Sequence, residues 1–257
     1  CPFLNGVKIL FEGLKRIFSK SKDPIIQAAA VIVAAGGSSR MGNNEKDLSK
    51  QFMRVDGNPI IAYTIEAYER AQTINEIVIV AREEELLLMS DVVKEYDFHK
   101  VTKIVKGGGT RLLSVKAGID EISGYNVVAI HDGARPFVKS AKIDMAVEAA
   151  SEFGGAALGV PVKDTLKMVD GDGFIKKTLD RSNIYQIQTP QVFNLDKFKT
   201  AIELAIVKDI NLTDDCQIFE NINLPVKVIT GDYDNIKITY PEDLLIAEGI
   251  VEGMKNV

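Results

Sequence analysis

The chain has 257 residues, room for one α/β domain with appendages. With 46% hydrophobic and 26% charged residues it has the composition of an ordinary folded protein, and no apolar run reaches the length of a bilayer span. A net charge of −5 argues against a general nucleic-acid binder, so any polyanion it handles should be small and gripped locally.

Two cysteines, Cys1 and Cys216, have no C-x-x-C spacing; they give no zinc signature or disulfide framework and fit a reducing, cytoplasmic setting. His99 and His131 are too few and too far apart for a His-rich metal centre.

Residues 1–27 stand apart. Phe3, Leu4, Val7, Leu10, Phe11, Leu14, Ile17 and Phe18 recur at helical spacing among Lys8, Lys15, Arg16, Lys20 and Lys22, which predicts a basic amphipathic helix. Such a helix could lie on a membrane surface; the reading favoured here packs it on its own domain or on a second subunit. Ser21-Lys22-Asp23-Pro24 reads as a linker, so the main domain is taken as 28–257.

From residue 28 strands and helices alternate. Strands are predicted at 28–35, 76–81, 101–105, 127–130 and 156–160, with helices at 58–71, 82–96, 110–122 and 141–153 between them. This rhythm predicts an α/β fold: a mostly parallel sheet with helices on both faces, joined by right-handed crossovers. Residues 163–190 break the rhythm. Two short β-like stretches, 165–169 and 174–179, flank a Gly171-Asp172-Gly173 turn and suggest a projecting hairpin arm, which needs a packing partner such as a second subunit. Helices at 195–207, 213–221 and from 241 onward, a strand at 225–230 and the segment 235–239 complete the chain, and Asp214 and Asp215 read as a dipole-favoured helix start.

The chemistry gathers in the loops. The strand at 28–35 ends in Gly36-Gly37-Ser38-Ser39, a turn whose N–H groups are unobstructed, and Arg40 and Lys50-Gln51-Phe52 follow. Bare amides beside a planar guanidinium and an ammonium form a triphosphate cradle, although the stretch is neither a Walker A loop nor G-x-G-x-x-G. On this stretch alone an ordinary strand and Gly/Ser turn fits equally well. In a parallel sheet the loops after Ala35, Val105 and Ile130 leave the same edge and can meet on one ligand.

Taken together, AAGGSSRMG at 34–42, KQF at 50–52, GGGTR at 107–111, HDGARPFV at 131–138, PVKDTLK at 161–167, QTPQVF at 188–193, LTDD at 212–215 and NIKIT at 235–239 resemble, in order, the 2-C-methyl-D-erythritol 4-phosphate cytidylyltransferases of non-mevalonate isoprenoid synthesis. The resemblance implies a Rossmann-like nucleotidyltransferase fold, a homodimer with interlocking hairpin arms, and Mg²⁺-dependent transfer of CMP from CTP to a sugar-alcohol phosphate. It implies that Arg40, Lys50 and Lys237 are the cations at the phosphates. Ala34, Ala35, Gly36, Gly37, Gly108 and Gly109 would contact the nucleotide through backbone, Ser114 would contact cytosine, and Asp132 and Arg135 would lie beside the ribose and the acceptor. Thr165, Arg181 and Thr189 resemble the acceptor-binding set, with Thr165 and Arg181 reaching over from the other subunit's arm. Asp132 and Asp234 are the candidate Mg²⁺ ligands.

The pattern departs from the family at two places. Gly109 stands where many members carry an acid facing cytosine, and Ser49 stands where Pro often precedes the lysine of KQF, so Lys50 is expected to be less rigidly placed. Local readings compete with several roles. Lys237 between Ile236 and Ile238 could be the solvated side of a strand, Arg135 could brace its loop through carbonyls, Asp132 could cap a turn, and Arg181 could be a surface charge. Two further functional readings stay open: a cytidylyltransferase for ribitol 5-phosphate or another polyol phosphate, and a catalytically silent nucleotide-binding protein.

Overall fold

The computed structural model describes residues 26–36, 48–210 and 212–255. The predicted N-terminal helix, Gly37 and Arg40 lie outside these residues. In chain order the strands are β1 (Ala28–Val33), β2 (Arg54–Val55), β3 (Asn58–Pro59), β4 (Ile74–Ala81), β5 (Val101–Lys106), β6 (Val127–Asp132), β7 (Gly155–Pro161), β8 (Lys167–Val169), β9 (Ile175–Thr178), β10 (Tyr185–Asn194) and β11 (Lys227–Thr230). The helices are α1 (Ile60–Arg70), α2 (Leu86–Glu95), α3 (Arg111–Asp120), α4 (Ser140–Phe153), α5 (Leu195–Val207), α6 (Cys216–Glu220) and α7 (Glu242–Lys255).

A sheet in the order β11-β7-β10-β6-β1-β4-β5 forms the centre. β5, β4, β1 and β6 run parallel, β7 and β11 are parallel to each other, and β10 is antiparallel to both its neighbours. Successive β1 side chains feed opposite cores, as the pleat requires. Ala28, Ala30 and Ile32 pack with Ile61, Ile65 and Tyr68 of α1 and Ile143 and Val147 of α4, whereas Ala29 and Val31 pack with Val115 and Ile119 of α3 and Phe198 of α5. A Cβ on Gly118 would come within 2.4 Å of Val31, so α3 lies against the sheet at a distance only glycine allows. The mostly parallel sheet with helices on both faces is the architecture expected from the sequence.

Several boundaries moved for identifiable reasons. Residues 58–59 do not open a helix; they pair as β3 with β2 around Asp56-Gly57, both at positive φ, a D-G hairpin. The helix expected at 213–221 shrinks to α6, because the Asp215 and Cys216 N–H groups donate to Gln191 Oε1. The arm is shorter than 163–190: β8 and β9 form a separate two-stranded ladder, while residues 185–190 belong to β10 of the main sheet. β10 carries Pro190, which has no N–H to give a ladder. Its pairing with β7 skips from Ile187 to Gln191 to accommodate the proline.

Candidate active site

At the carboxyl edge of the parallel strands, the segments following β1, β5 and β6 enclose a hollow of about 260 Å³. Gly36, Gly108, Gly109, Ser114, Lys50, Arg111, Asp132 and Lys237 line it. Close approach of the loops rests on glycine: a Cβ on Gly107 would meet Ala35 Cβ at 2.4 Å. The position of Gly109 is open, with nothing within 4 Å of where its Cβ would be.

Asp132, the last residue of β6, is the hub. Its Oδ2 accepts from Lys237 Nζ at 2.6 Å and its Oδ1 from Arg111 Nη2 at 3.2 Å, with Arg135 Nε 3.8 Å from Oδ2. Burial works against its charge, but Lys237, Arg111 and Arg135 outweigh that cost and hold the carboxyl well below the usual carboxylate range. Arg111 also donates from Nη1 to the buried Asp215 at 2.5 Å. Burial opposes the Arg111 charge, yet the two carboxylates raise its pKa above the usual value. On Asp215 burial dominates instead and pushes the carboxyl up, with one cation against it and Oδ2 without a partner.

Lys50 and Lys237 arrive from distant parts of the chain and meet. Lys50 Nζ donates to the Ile238 carbonyl at 2.6 Å, next to Lys237, while the Ile238 N–H donates to Ala134 O at 2.9 Å. The NIKIT segment is therefore not a strand. It is an irregular stretch pinned by the buried Ile238 and leaves the Lys237 side chain 37% exposed. Although it lines the hollow, Lys50 is only 9% exposed.

A chain of hydrogen bonds fixes the Asp132 loop. The Asp132 N–H donates to Thr189 Oγ1 at 3.1 Å, Thr189 Oγ1 lies 2.9 Å from His131 Nδ1, and His131 Nε2 lies 3.0 Å from the Arg135 carbonyl. A carbonyl can only accept, so Nε2 carries the proton and Nδ1 accepts from the threonine hydroxyl. Burial pushes the His131 pKa down to about 4, which keeps the ring neutral.

The remaining predicted residues are placed as follows. Ala34 is buried, its carbonyl accepting from Gln51 Nε2, and Ala35 and Gly36 line the hollow. The Ser114 hydroxyl donates to Thr110 O at 2.9 Å and accepts from Gly108 N–H, so it is engaged within its own loop. Arg135 donates to Asn235 O at 2.7 Å, a loop brace as well as a neighbour of Asp132. Thr189 is buried with its hydroxyl engaged and does not face the opening. Thr165 and Arg181 are exposed on the arm side and do not line this hollow; Arg181 bonds the Lys163 carbonyl. Asp234 does not line it either, and borders a separate groove with Lys139 and Ile250. Arg111 is the site residue that reading of the sequence did not single out, although it closes the GGGTR motif.

Among the described residues no group of three or more His, Cys, Asp or Glu side chains could hold a metal, and Asp132 is the one acid lining the hollow. A single carboxylate fits a Mg²⁺ ion that takes most of its ligands from phosphate oxygens and water.

The 2-C-methyl-D-erythritol 4-phosphate cytidylyltransferase family model matches residues 28–253. The chain belongs to this family. A relative of that name from Clostridium acetobutylicum is 45% identical over 224 residues, which is 87% of this chain and 96% of the relative. One from Dehalococcoides mccartyi is 42% identical over 86% of this chain and 95% of its own. Among solved structures, a 4-diphosphocytidyl-2C-methyl-D-erythritol synthase from Anaerococcus prevotii superimposes with a TM-score of 0.79 at 30% identity, covering 88% of this chain and 96% of its own. The cytidylyltransferase from Thermus thermophilus gives 0.71 at 26% identity, covering 88% and 100%. Family membership makes the protein a nucleotidyltransferase of the cytidylyl class. Among the described residues no helix is long and apolar enough to cross a membrane.

Proposed function

We propose that the protein transfers CMP from CTP to 2-C-methyl-D-erythritol 4-phosphate and releases pyrophosphate, a step of non-mevalonate isoprenoid precursor synthesis. The observation that carries this reading is the convergence of Lys50, Arg111 and Lys237, drawn from three separate segments, on one hollow walled by Gly36, Gly108 and Gly109.

The reaction asks an acceptor phosphate oxygen to displace pyrophosphate in line at the α-phosphorus, between two anions. Alignment and charge neutralisation carry the catalysis. Lys50 and Lys237 hold the α-phosphate and the triphosphate tail, with Arg40 as their partner by family resemblance. Asp132 keeps Lys237 and Arg111 oriented before the nucleotide arrives, and it is the residue that would take a place in the Mg²⁺ shell. A Mg²⁺ held there would supply neutralisation of phosphate charge. No general base is needed, because the attacking phosphate is largely ionised near neutral pH. The backbone of residues 34–36 and 108–109 serves the nucleotide, and Ser114 orders the base-side loop.

The acceptor side is completed by a second copy of the chain. Thr165 and Arg181 lie away from the hollow of their own chain, on a hairpin whose Phe174 and Ile175 are exposed, and they serve the partner's site as acceptor-binding residues. Two assays test the reading. Pyrophosphate release with CTP should require 2-C-methyl-D-erythritol 4-phosphate, and activity with ribitol 5-phosphate alone would overturn the acceptor assignment. Co-expressed Lys237→Ala and Arg181→Ala chains, each impaired by itself at acceptor concentrations well below KM, should recover activity together under those conditions, because one site of the mixed dimer is intact; no recovery would refute shared sites.

A further inference from the structure

Ser49 stands where a proline would have held the chain entering Lys50 by its ring, yet the turn is not loose. The buried carboxylate of Glu85 grips Ser49 twice: Oε1 accepts from the Ser49 backbone N–H at 2.8 Å, and Oε2 accepts from the Ser49 hydroxyl at 2.9 Å. Arg82 Nη2 donates to the same Glu85 Oε1 at 2.5 Å, fixing the carboxylate from behind. Ser49 is fully buried and Glu85 is 3% exposed. The Ser49 carbonyl then accepts from Phe52 N–H at 3.0 Å, starting the tight turn Lys50–Phe52 that aims Lys50 at Ile238 O. Glu85 ends the 3₁₀ turn that follows β4, the strand beside β1, so the clamp ties the Lys50 turn to the rigid sheet.

We infer that Glu85 is a positioning residue for catalysis: acting through Ser49, it holds Lys50 in the phosphate site and replaces the constraint a proline would supply. The inference rests on the proposed role of Lys50. A bidentate carboxylate clamp on a backbone N–H and a hydroxyl is directional and charge-assisted, whereas a proline acts by fixing φ. Ser49 has φ −65°, the value a proline imposes, so the backbone here already has the φ that a proline would fix.

The test is steady-state kinetics and thermal unfolding of Glu85→Gln, Ser49→Ala, Lys50→Ala and the Glu85→Gln/Lys50→Ala and Glu85→Gln/Ser49→Pro doubles. Glu85→Gln should lower kcat roughly 10- to 100-fold, the scale of a small misplacement of a catalytic group, with a smaller loss for Ser49→Ala. In the Lys50→Ala background Glu85→Gln should cost no further turnover, and Ser49→Pro should restore most of what Glu85→Gln loses. Multiplicative losses in the Lys50→Ala background, a failure of Ser49→Pro to rescue, or wild-type kcat in Glu85→Gln would overturn the inference while leaving Lys50 in place. Wild-type turnover by Lys50→Ala would instead remove Lys50 from the mechanism, and this role of Glu85 with it. Should Glu85→Gln fail to fold, Ser49→Ala alone and combined with Lys50→Ala carries the same comparison.

Discussion

Asp132 in the hollow is surrounded by cations from three elements and hydrogen-bonded into place through Thr189 and His131, whereas along the β8–β9 hairpin Phe174 is 72% exposed and Ile175 65%. The first region has its partners within the chain. The second offers apolar side chains with no counterpart in it, among the described residues. Charges paired in this way are preorganised around the hollow, while a hairpin of this kind gains stability by docking. In the proposed function, the nucleotide half of the chemistry belongs to one chain and the acceptor half to two.

The sharpest way to break this contrast is to remove the exposed cation of the hollow. Lys237→Ala should lower kcat roughly 100- to 1,000-fold, in the range seen when one donor to a developing charge is lost, with little change in thermal stability because Arg111 still pairs Asp132. Near-normal kcat would take Lys237 out of the mechanism.

A second effect concerns the rigidity of the hollow. Burial keeps His131 neutral in the fold, so the unfolded chain takes up the proton first as pH falls. Stability should therefore be complete above the ordinary histidine pKa and decline down to about pH 4, by roughly 3 kcal/mol from this group. Urea unfolding across that window should give a flatter pH dependence for His131→Asn than for the wild type, and parallel curves would contradict the assignment.

On the arm, Arg181→Ala should raise the KM for the acceptor about tenfold or more, the worth of a hydrogen bond to a charged group, and leave the KM for CTP unchanged. Equal effects on both substrates would erase the division between the regions. The smallest effect is expected at Gly109, where space is open. Gly109→Asp should improve discrimination of CTP over UTP by roughly two- to tenfold through an added hydrogen-bond acceptor, and competition assays would register no change if the base lies elsewhere.

Much of this was legible in the sequence because it is local. The run 28–33 is apolar at every position, as a strand buried on both faces must be, and the glycines after it mark the edge where ligands bind. β10 was not legible, since Pro190 argues against a central strand and only the irregular pairing with β7 admits it. The ion network around Asp132 was not legible either: Lys237 is 105 residues away and Arg111 21, and no periodicity links them. Ser49 looked like a loosening of the Lys50 turn for the same reason. Its restraint comes from Glu85, 36 residues on, and is visible only once β1 and β4 lie side by side.

The division between one chain and two is tested most directly by a Phe174→Glu/Ile175→Glu variant, measured for Mg²⁺–CTP affinity by calorimetry and for pyrophosphate release with 2-C-methyl-D-erythritol 4-phosphate. The variant should be monomeric, bind CTP as the wild type does, and release almost no pyrophosphate. Loss of CTP affinity along with the arm contact, or full turnover by a monomer, would contradict the account.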